Sequence, residues 1–186
     1  MQWWIVYLLM GLFVGFFAGL LGIGGGLILV TLMVYLFTLQ GFPADRLLHL
    51  ALGTSIASIV FTSISSLRAH HKHGAVRWDI LREAVPGLVI GTLCGTVVAE
   101  QLKSKYLAVF FVIFVYYSAV QMFANVKPKP TRRLPGKAGL TVVAAIVGIV
   151  SSLVGVGGGV MTIPLMRVCN VPMRQAIGTS AALGLP

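Results

Sequence analysis

Two glycine-rich stretches stand out as groups that could bind an anion. The first contains Gly22, Gly24, Gly25 and Gly26, and the second, 133 residues later, contains Gly155, Gly157, Gly158 and Gly159. Each stretch has the form Gly-x-Gly-Gly-Gly, which breaks a helix and leaves backbone N–H groups that can converge on an anion. A helix that begins after the glycines adds partial positive charge. The pattern therefore predicts an anion site built largely from backbone.

A hydroxyl motif follows each glycine stretch. Gly53, Thr54 and Ser55 end the sequence Ala-Leu-Gly-Thr-Ser, and Gly178, Thr179 and Ser180 end Ala-Ile-Gly-Thr-Ser 125 residues later. Hydroxyl groups donate hydrogen bonds without carrying charge. Two facing sets would form a neutral, donor-rich cavity suited to a small oxyanion. The alternative is that these small residues serve only to pack helices closely.

The other reactive side chains give weaker signals. His49 lies one helical turn before Gly53, and its role as a proton carrier or as an interfacial side chain stays open. Three further histidines, at 70, 71 and 73, lie in a basic stretch without acids or cysteines nearby, which is a poor spacing for a metal site. No paired aspartates, His-Glu-x-x-His motif or serine with a neighbouring base is visible at membrane depth. We therefore expect no enzyme activity, no metal and no cofactor.

Composition places these motifs in a membrane. Of 186 residues, 58% are hydrophobic and only 10% are charged, with a net charge of +10. An ordinary soluble domain has about 25% charged residues. The cations lie between apolar runs instead of on one folded face, so a lipid bilayer is the expected partner and nucleic acid is not. The four acids end at Glu100, which argues against a carboxylate-based ion site.

The apolar runs predict an all-α polytopic membrane protein. Residues 1–44 contain no charged side chain, and as one helix they would extend about 66 Å, twice the bilayer core. This run must therefore break, and the first glycine stretch is the expected place. The remaining runs are Leu47–Leu67, Ala84–Ala99, Tyr106–Val126, Ala138–Met166 and Gln175–Pro186.

Loop charges predict the sidedness of the protein. Nine of the 14 lysines and arginines lie in the loops 68–83 and 127–137, and two apolar runs separate these loops. Loops rich in Lys and Arg are typically cytoplasmic, so both loops are expected on the cytoplasmic side of the membrane. The second loop, with three prolines, is expected to link a first transmembrane repeat, residues 1–126, to the start of a second, residues 138–186.

The ordered pair of motifs indicates internal duplication. If each glycine turn joins two crossing segments, five crossings separate the two turns and the repeats are inverted. If each turn only interrupts one span, the repeats are parallel. We favour inverted repeats with glycine-broken helices, which are a common transporter plan.

The motifs resemble those of the sulfite exporter TauE/SafE family. The likeness rests on the two glycine stretches, the two Ala-x-Gly-Thr-Ser motifs and His73-Gly74-x-Val76-x-Trp78. It implies a multi-pass inner-membrane transporter that exports sulfite or an organosulfonate, and it marks the fourteen glycine and hydroxyl residues named above as substrate-binding.

The resemblance also bears on the length of the chain. The family's second half mirrors its first, so one long loop and about three more spans are expected after Ser180. The chain is therefore expected to lack about 70 C-terminal residues, and the second repeat to be incomplete. The alternatives are a non-transporting membrane assembly subunit or a truncated, non-functional fragment. Self-association into a homo-oligomer stays open.

Overall fold

Eight α-helices make up the part of the chain that the structure describes. The computed structural model describes residues 3–21, 25–123 and 135–185, and these contain no β-strand. The helices are α1 (Trp3–Leu21), α2 (Gly26–Leu39), α3 (Leu47–Lys72), α4 (Trp78–Gln101), α5 (Ser104–Phe123), α6 (Lys137–Val154), α7 (Gly159–Val168) and α8 (Met173–Leu183). The predicted all-α membrane fold is confirmed.

A short helix follows each glycine stretch. Four helices, α3 to α6, are long and apolar enough to cross a membrane. In contrast, α2 has 14 residues and α7 has 10, fewer than the roughly 20 that a crossing needs. Both short helices begin at the last glycine of a glycine stretch, so the chain breaks where the sequence predicts. The duplication and the inverted orientation of the repeats stay predictions.

The segment predicted as a charged loop, 68–83, is mostly helical. Helix α3 continues to Lys72 and α4 begins at Trp78, so only residues 73–77 lie outside a helix. Charged side chains do not end a helix; here the end comes at Gly74, whose φ is +62°. Of the second predicted loop, residues 127–134 lie outside the described residues, and α6 begins at Lys137.

Helices α4 and α6 pack with their backbones in contact. Three glycines of α4, spaced four residues apart, face α6. A Cβ atom added at Gly87 or Gly91 would lie 2.0 Å from a carbonyl oxygen of α6, and one at Gly95 would lie 2.1 Å from Ser152 Oγ. Small residues at four-residue spacing permit such close packing in membranes. This closely packed pair of helices lies beside the second glycine stretch.

Buried apolar side chains form two groups beside the α4–α6 pair. One joins α2, α3 and α5 to the end of α6, with Val30, Leu52 and Leu107 among its most buried members. The other joins α4, α6, α7 and α8. The break between α6 and α7 lies between the two groups and contacts both.

Candidate anion site at the break between α6 and α7

Glycine conformations form the break. Gly155, the residue that ends α6, has φ +68°, and Gly158, the residue before α7, has φ +65°. Most side chains disfavour this left-handed region, whereas glycine adopts it at low cost. Gly25, which precedes α2, has nearly the same backbone conformation as Gly158. The two short helices therefore start in the same way.

Ser55 fixes the first residue of the break. Its side chain is completely buried, and Oγ donates a hydrogen bond to the carbonyl oxygen of Gly155 at 2.9 Å. A Cβ atom added at Gly26 would lie 2.8 Å from that same oxygen. Helices α2, α3 and α6 thus converge on one carbonyl group, and the hydroxyl of Ser55 satisfies it.

A hydroxyl chain fixes the start of α7. Thr162 Oγ1 donates to the carbonyl oxygen of Gly158 at 3.0 Å and lies 2.7 Å from Ser180 Oγ. Because the threonine hydrogen is already donated, Ser180 is the donor in the second bond. All three residues are buried, and Gly159 lies close to the serine: an added Cβ there would be 3.3 Å from Ser180 Oγ. Helix α8 thereby holds the N-terminus of α7.

The rest of the second hydroxyl motif packs against residues 73–77. Thr179 Oγ1 accepts a hydrogen bond from the backbone N–H of Arg77 at 3.0 Å. A Cβ atom added at Gly178 would lie 2.4 Å from the carbonyl oxygen of Ala75, so glycine is required there. The Arg77 side chain pairs with Asp79, and this hydrogen bond raises the pKa of Arg77.

A cavity opens beside the break. Its volume is about 240 Å³, and it lies among α3, α4, the end of α6, the break and the end of α8. Four lining residues carry hydroxyl groups and three are glycines, whereas the rest have apolar side chains: the first are Thr92, Thr96, Ser151 and Ser152, and the glycines are Gly157, Gly158 and Gly184. None of the side chains that line it is charged. The cavity is therefore neutral and bears hydroxyl groups.

The predicted site residues divide into separate groups. Of the fourteen, Gly157 and Gly158 line the cavity. Ser55 and Ser180, one from each hydroxyl motif, lie outside the cavity lining and hold the break through the hydrogen bonds described above. Gly53 is exposed with open space around it, and the hydroxyl of Thr54 donates to the carbonyl of Leu50 in its own helix. Gly22 and Gly24 lie outside the described residues.

Two hydroxyl groups of α4 line the cavity and were not predicted. Thr92 and Thr96 belong to neither duplicated motif. Each directly follows a glycine of the α4 packing surface, at positions 91 and 95. The four-residue spacing of the glycines predicts the face of α4 that packs on another helix, and the residue after each glycine lies at the edge of that face.

His49 lies apart from the cavity, in contact with the link between α4 and α5. Its Nδ1 is 3.0 Å from Ser104 Oγ, and its Nε2 is 3.1 Å from the carbonyl oxygen of Ala99. Ser104 Oγ in turn donates to the carbonyl oxygen of Asp45 at 2.6 Å. The half-buried imidazole therefore joins the start of α3 to the α4–α5 link.

Comparison with known proteins identifies the family. Residues 7–186 match the family model described as sulfite exporter TauE/SafE. A Haemophilus influenzae protein named "Probable membrane transporter protein" is 35% identical over 97% of this chain and 69% of its own length. YunE of Bacillus subtilis, with the same description, is 26% identical over 95% of this chain and 72% of its own length. A Methanocaldococcus jannaschii relative, also named as a probable membrane transporter, is 27% identical over 95% and 66%.

No solved structure matches the chain. The family match covers nearly all of the sequence, and the relatives just described are named as membrane transporters. This protein belongs to the sulfite exporter TauE/SafE family of membrane transporters.

Proposed function

We propose that this protein moves a small anion, with sulfite or an organosulfonate as substrate, out of the cell across the inner membrane. The observation that carries the proposal is the neutral cavity beside the α6–α7 break, lined by hydroxyl groups and glycine backbone. The family description, which names sulfite export, supports the choice of substrate.

Backbone and hydroxyl donors are the proposed means of holding the anion. Among the described residues, no backbone hydrogen bond uses the N–H of Gly157, and no hydrogen bond involves the hydroxyl of Ser151. Both residues line the cavity. The N-terminus of α7 adds partial positive charge close by. These groups attract an anion without a lysine or arginine, so that binding stays weak enough for release.

The duplicated motifs have two proposed roles. The glycines at 155, 157, 158 and 159 shape the substrate site, and those at 22, 24, 25 and 26 are proposed to contribute in the same way. The hydroxyls of Ser55, Thr179 and Ser180 hold the break and its neighbours in place through the bonds described above. For Gly53, Thr54 and Gly178 the proposal of substrate contact rests on the family motif.

His49 and the two basic segments, residues 68–83 and 127–137, have further proposed roles. His49 is proposed to carry a proton in a coupled cycle, since its two ring nitrogens hold hydrogen-bond partners on another part of the chain. Residues 68–83 and 127–137 are proposed to face the cytoplasm, in agreement with their lysines and arginines. In this orientation the His49 end of α3 faces the opposite side.

The test is release of sulfite from proteoliposomes. Vesicles that contain the purified protein and radiolabelled sulfite are diluted into buffer, and the initial rate of loss is compared with that of protein-free vesicles. We expect faster release that saturates with sulfite concentration. Release at the protein-free rate would reject transport by this chain, and it would favour the assembly-subunit alternative if the protein co-purified with a second membrane subunit.

A further inference from the structure

The cavity presents hydrogen-bond acceptors on α4 and hydrogen-bond donors at the α6–α7 break, which the two duplicated motifs alone do not predict. We propose that it selects small oxyanions that also carry a hydrogen-bond donor, so that hydrogen sulfite is preferred to the sulfite dianion. The inference rests on the proposed transport function and assigns Thr92 and Thr96 of α4 as the residues that set this preference.

The hydroxyl groups of α4 are acceptors toward the cavity. Thr92 Oγ1 donates to the carbonyl oxygen of Val89 at 3.0 Å, and Thr96 Oγ1 donates to the carbonyl oxygen of Thr92 at 2.8 Å. A hydroxyl group has one hydrogen and two lone pairs. With the hydrogen held inside the helix, each threonine offers only lone pairs to a ligand.

The α6–α7 break and the end of α6 supply the donors. The hydroxyl of Ser151 and the N–H of Gly157 have no hydrogen-bond acceptor within the described part of the chain. The hydroxyl of Ser152, like those of α4, donates within its own helix, to Ile149 at 2.9 Å. The cavity thus has a donor wall at the α6–α7 break and an acceptor wall on α4.

This division discriminates between protonation states of the ligand. An oxyanion without a hydrogen would place its lone pairs against those of the two threonines, or would break their bonds within α4. A monoanion that keeps an O–H group can donate to a threonine while its charged oxygens accept from the break. The lower charge also reduces the cost of leaving water for a cavity without charged side chains.

The first arm of the test compares two probes that differ by one donor. Ethanesulfonate and hydroxyethanesulfonate carry the same anionic group, but only the second has a hydroxyl. We expect the protein in proteoliposomes to transport hydroxyethanesulfonate roughly threefold to tenfold faster at low concentration, the effect of one hydrogen bond between neutral groups. The isosteric variant Thr92→Val, alone and with Thr96→Val, should abolish this preference while both probes still move.

The second arm and the control use the same vesicles. The protein-dependent rate of sulfite release should fall more steeply than that of ethanesulfonate as pH rises through the ionisation of hydrogen sulfite, since only sulfite changes its charge there and the side chains that line the cavity do not titrate. Thr31→Val is the matched control: its hydroxyl donates to Leu27 at 2.9 Å in the same manner, and it lies on α2, outside the cavity lining. This variant should keep the preference of the unaltered protein.

The outcomes separate the two proposals. Equal transport of both probes by the unaltered protein, with sulfite still released, would overturn the preference and leave the transport function standing. A valine variant that slows both probes equally would show that the threonines donate to the anion, which also overturns it. No transport of sulfite or of either probe would reject the function and the preference together.

Discussion

Removal of the Ser55 hydroxyl is the sharpest test of how the break is held. In Ser55→Ala the carbonyl of Gly155 loses its hydrogen bond at a fully buried position, and no other hydrogen bond among the described residues ends on that oxygen. Gly26 packs too closely for water to enter, since even an added Cβ would approach that oxygen to 2.8 Å. The perturbation therefore leaves a buried acceptor unsatisfied.

The magnitude follows from this geometry. An unsatisfied buried acceptor costs about 1–3 kcal/mol, and hydrogen bonds between membrane helices average about 0.6 kcal/mol. We expect a loss of about 1–2 kcal/mol, near the upper range for membranes because water cannot replace the hydroxyl. If a distorted conformation of the break competes with the native one, about 1.4 kcal/mol shifts the ratio of the native to the distorted form tenfold.

The assay measures stability and transport on the same preparations. Unfolding of the purified protein in mixed micelles gives the free-energy change, and the initial rate of sulfite release gives the activity. Ser58→Ala is the control, because Ser58 donates to the carbonyl of Thr54 within α3, at 2.9 Å, and that loss leaves the helix backbone bonds intact. If Ser55→Ala and Ser58→Ala behave alike in both measurements, the reasoning about Gly155 is refuted.

Two further predictions follow from packing and from the His49 contacts. Gly91→Ala places a Cβ 2.0 Å from the carbonyl oxygen of Ala145 and should lower the free energy of unfolding by about 1–3 kcal/mol. In the control Gly53→Ala the new Cβ meets no atom within 4 Å, so the free energy of unfolding should stay unchanged or rise slightly. Equal effects of the two variants would contradict the close approach of α4 and α6. His49→Ala removes the bond to Ser104 and should lower the thermal midpoint of unfolding. It should also flatten the pH dependence of hydroxyethanesulfonate transport, since the charge of this probe is constant near neutral pH; an unchanged profile would reject the proton-carrier role.

The sequence predicts the helices and their breaks because both depend on local properties. Apolar runs of sufficient length predict the spanning helices, and the glycines predict where α2 and α7 begin. The short length of the link at residues 73–77 was not predicted, because the backbone hydrogen bonds of α3 continue past its charged side chains until Gly74 ends the helix.

The partners of the site residues could not be predicted because they are distant in the chain. Ser55 and Gly155 are 100 residues apart, and only the folded structure brings the hydroxyl to the carbonyl. In the same way, Thr92 became visible as a cavity residue only once the packing of α4 on α6 was known. The sequence predicted a neutral anion site at the glycine stretches, but it assigned to ligand contact some hydroxyls whose bonds in the structure support the break.

The central claim is that the cavity at the α6–α7 break carries the anion, and filling that cavity tests it most directly. Thr92→Phe introduces a ring into the 240 Å³ space, and Thr31→Phe introduces the same ring on α2 outside the cavity lining. With both variants folded, as shown by their unfolding midpoints, we predict that Thr92→Phe lowers the initial rate of radiolabelled sulfite release at least tenfold and that Thr31→Phe does not. Release by Thr92→Phe at the rate of the unaltered protein would contradict the claim.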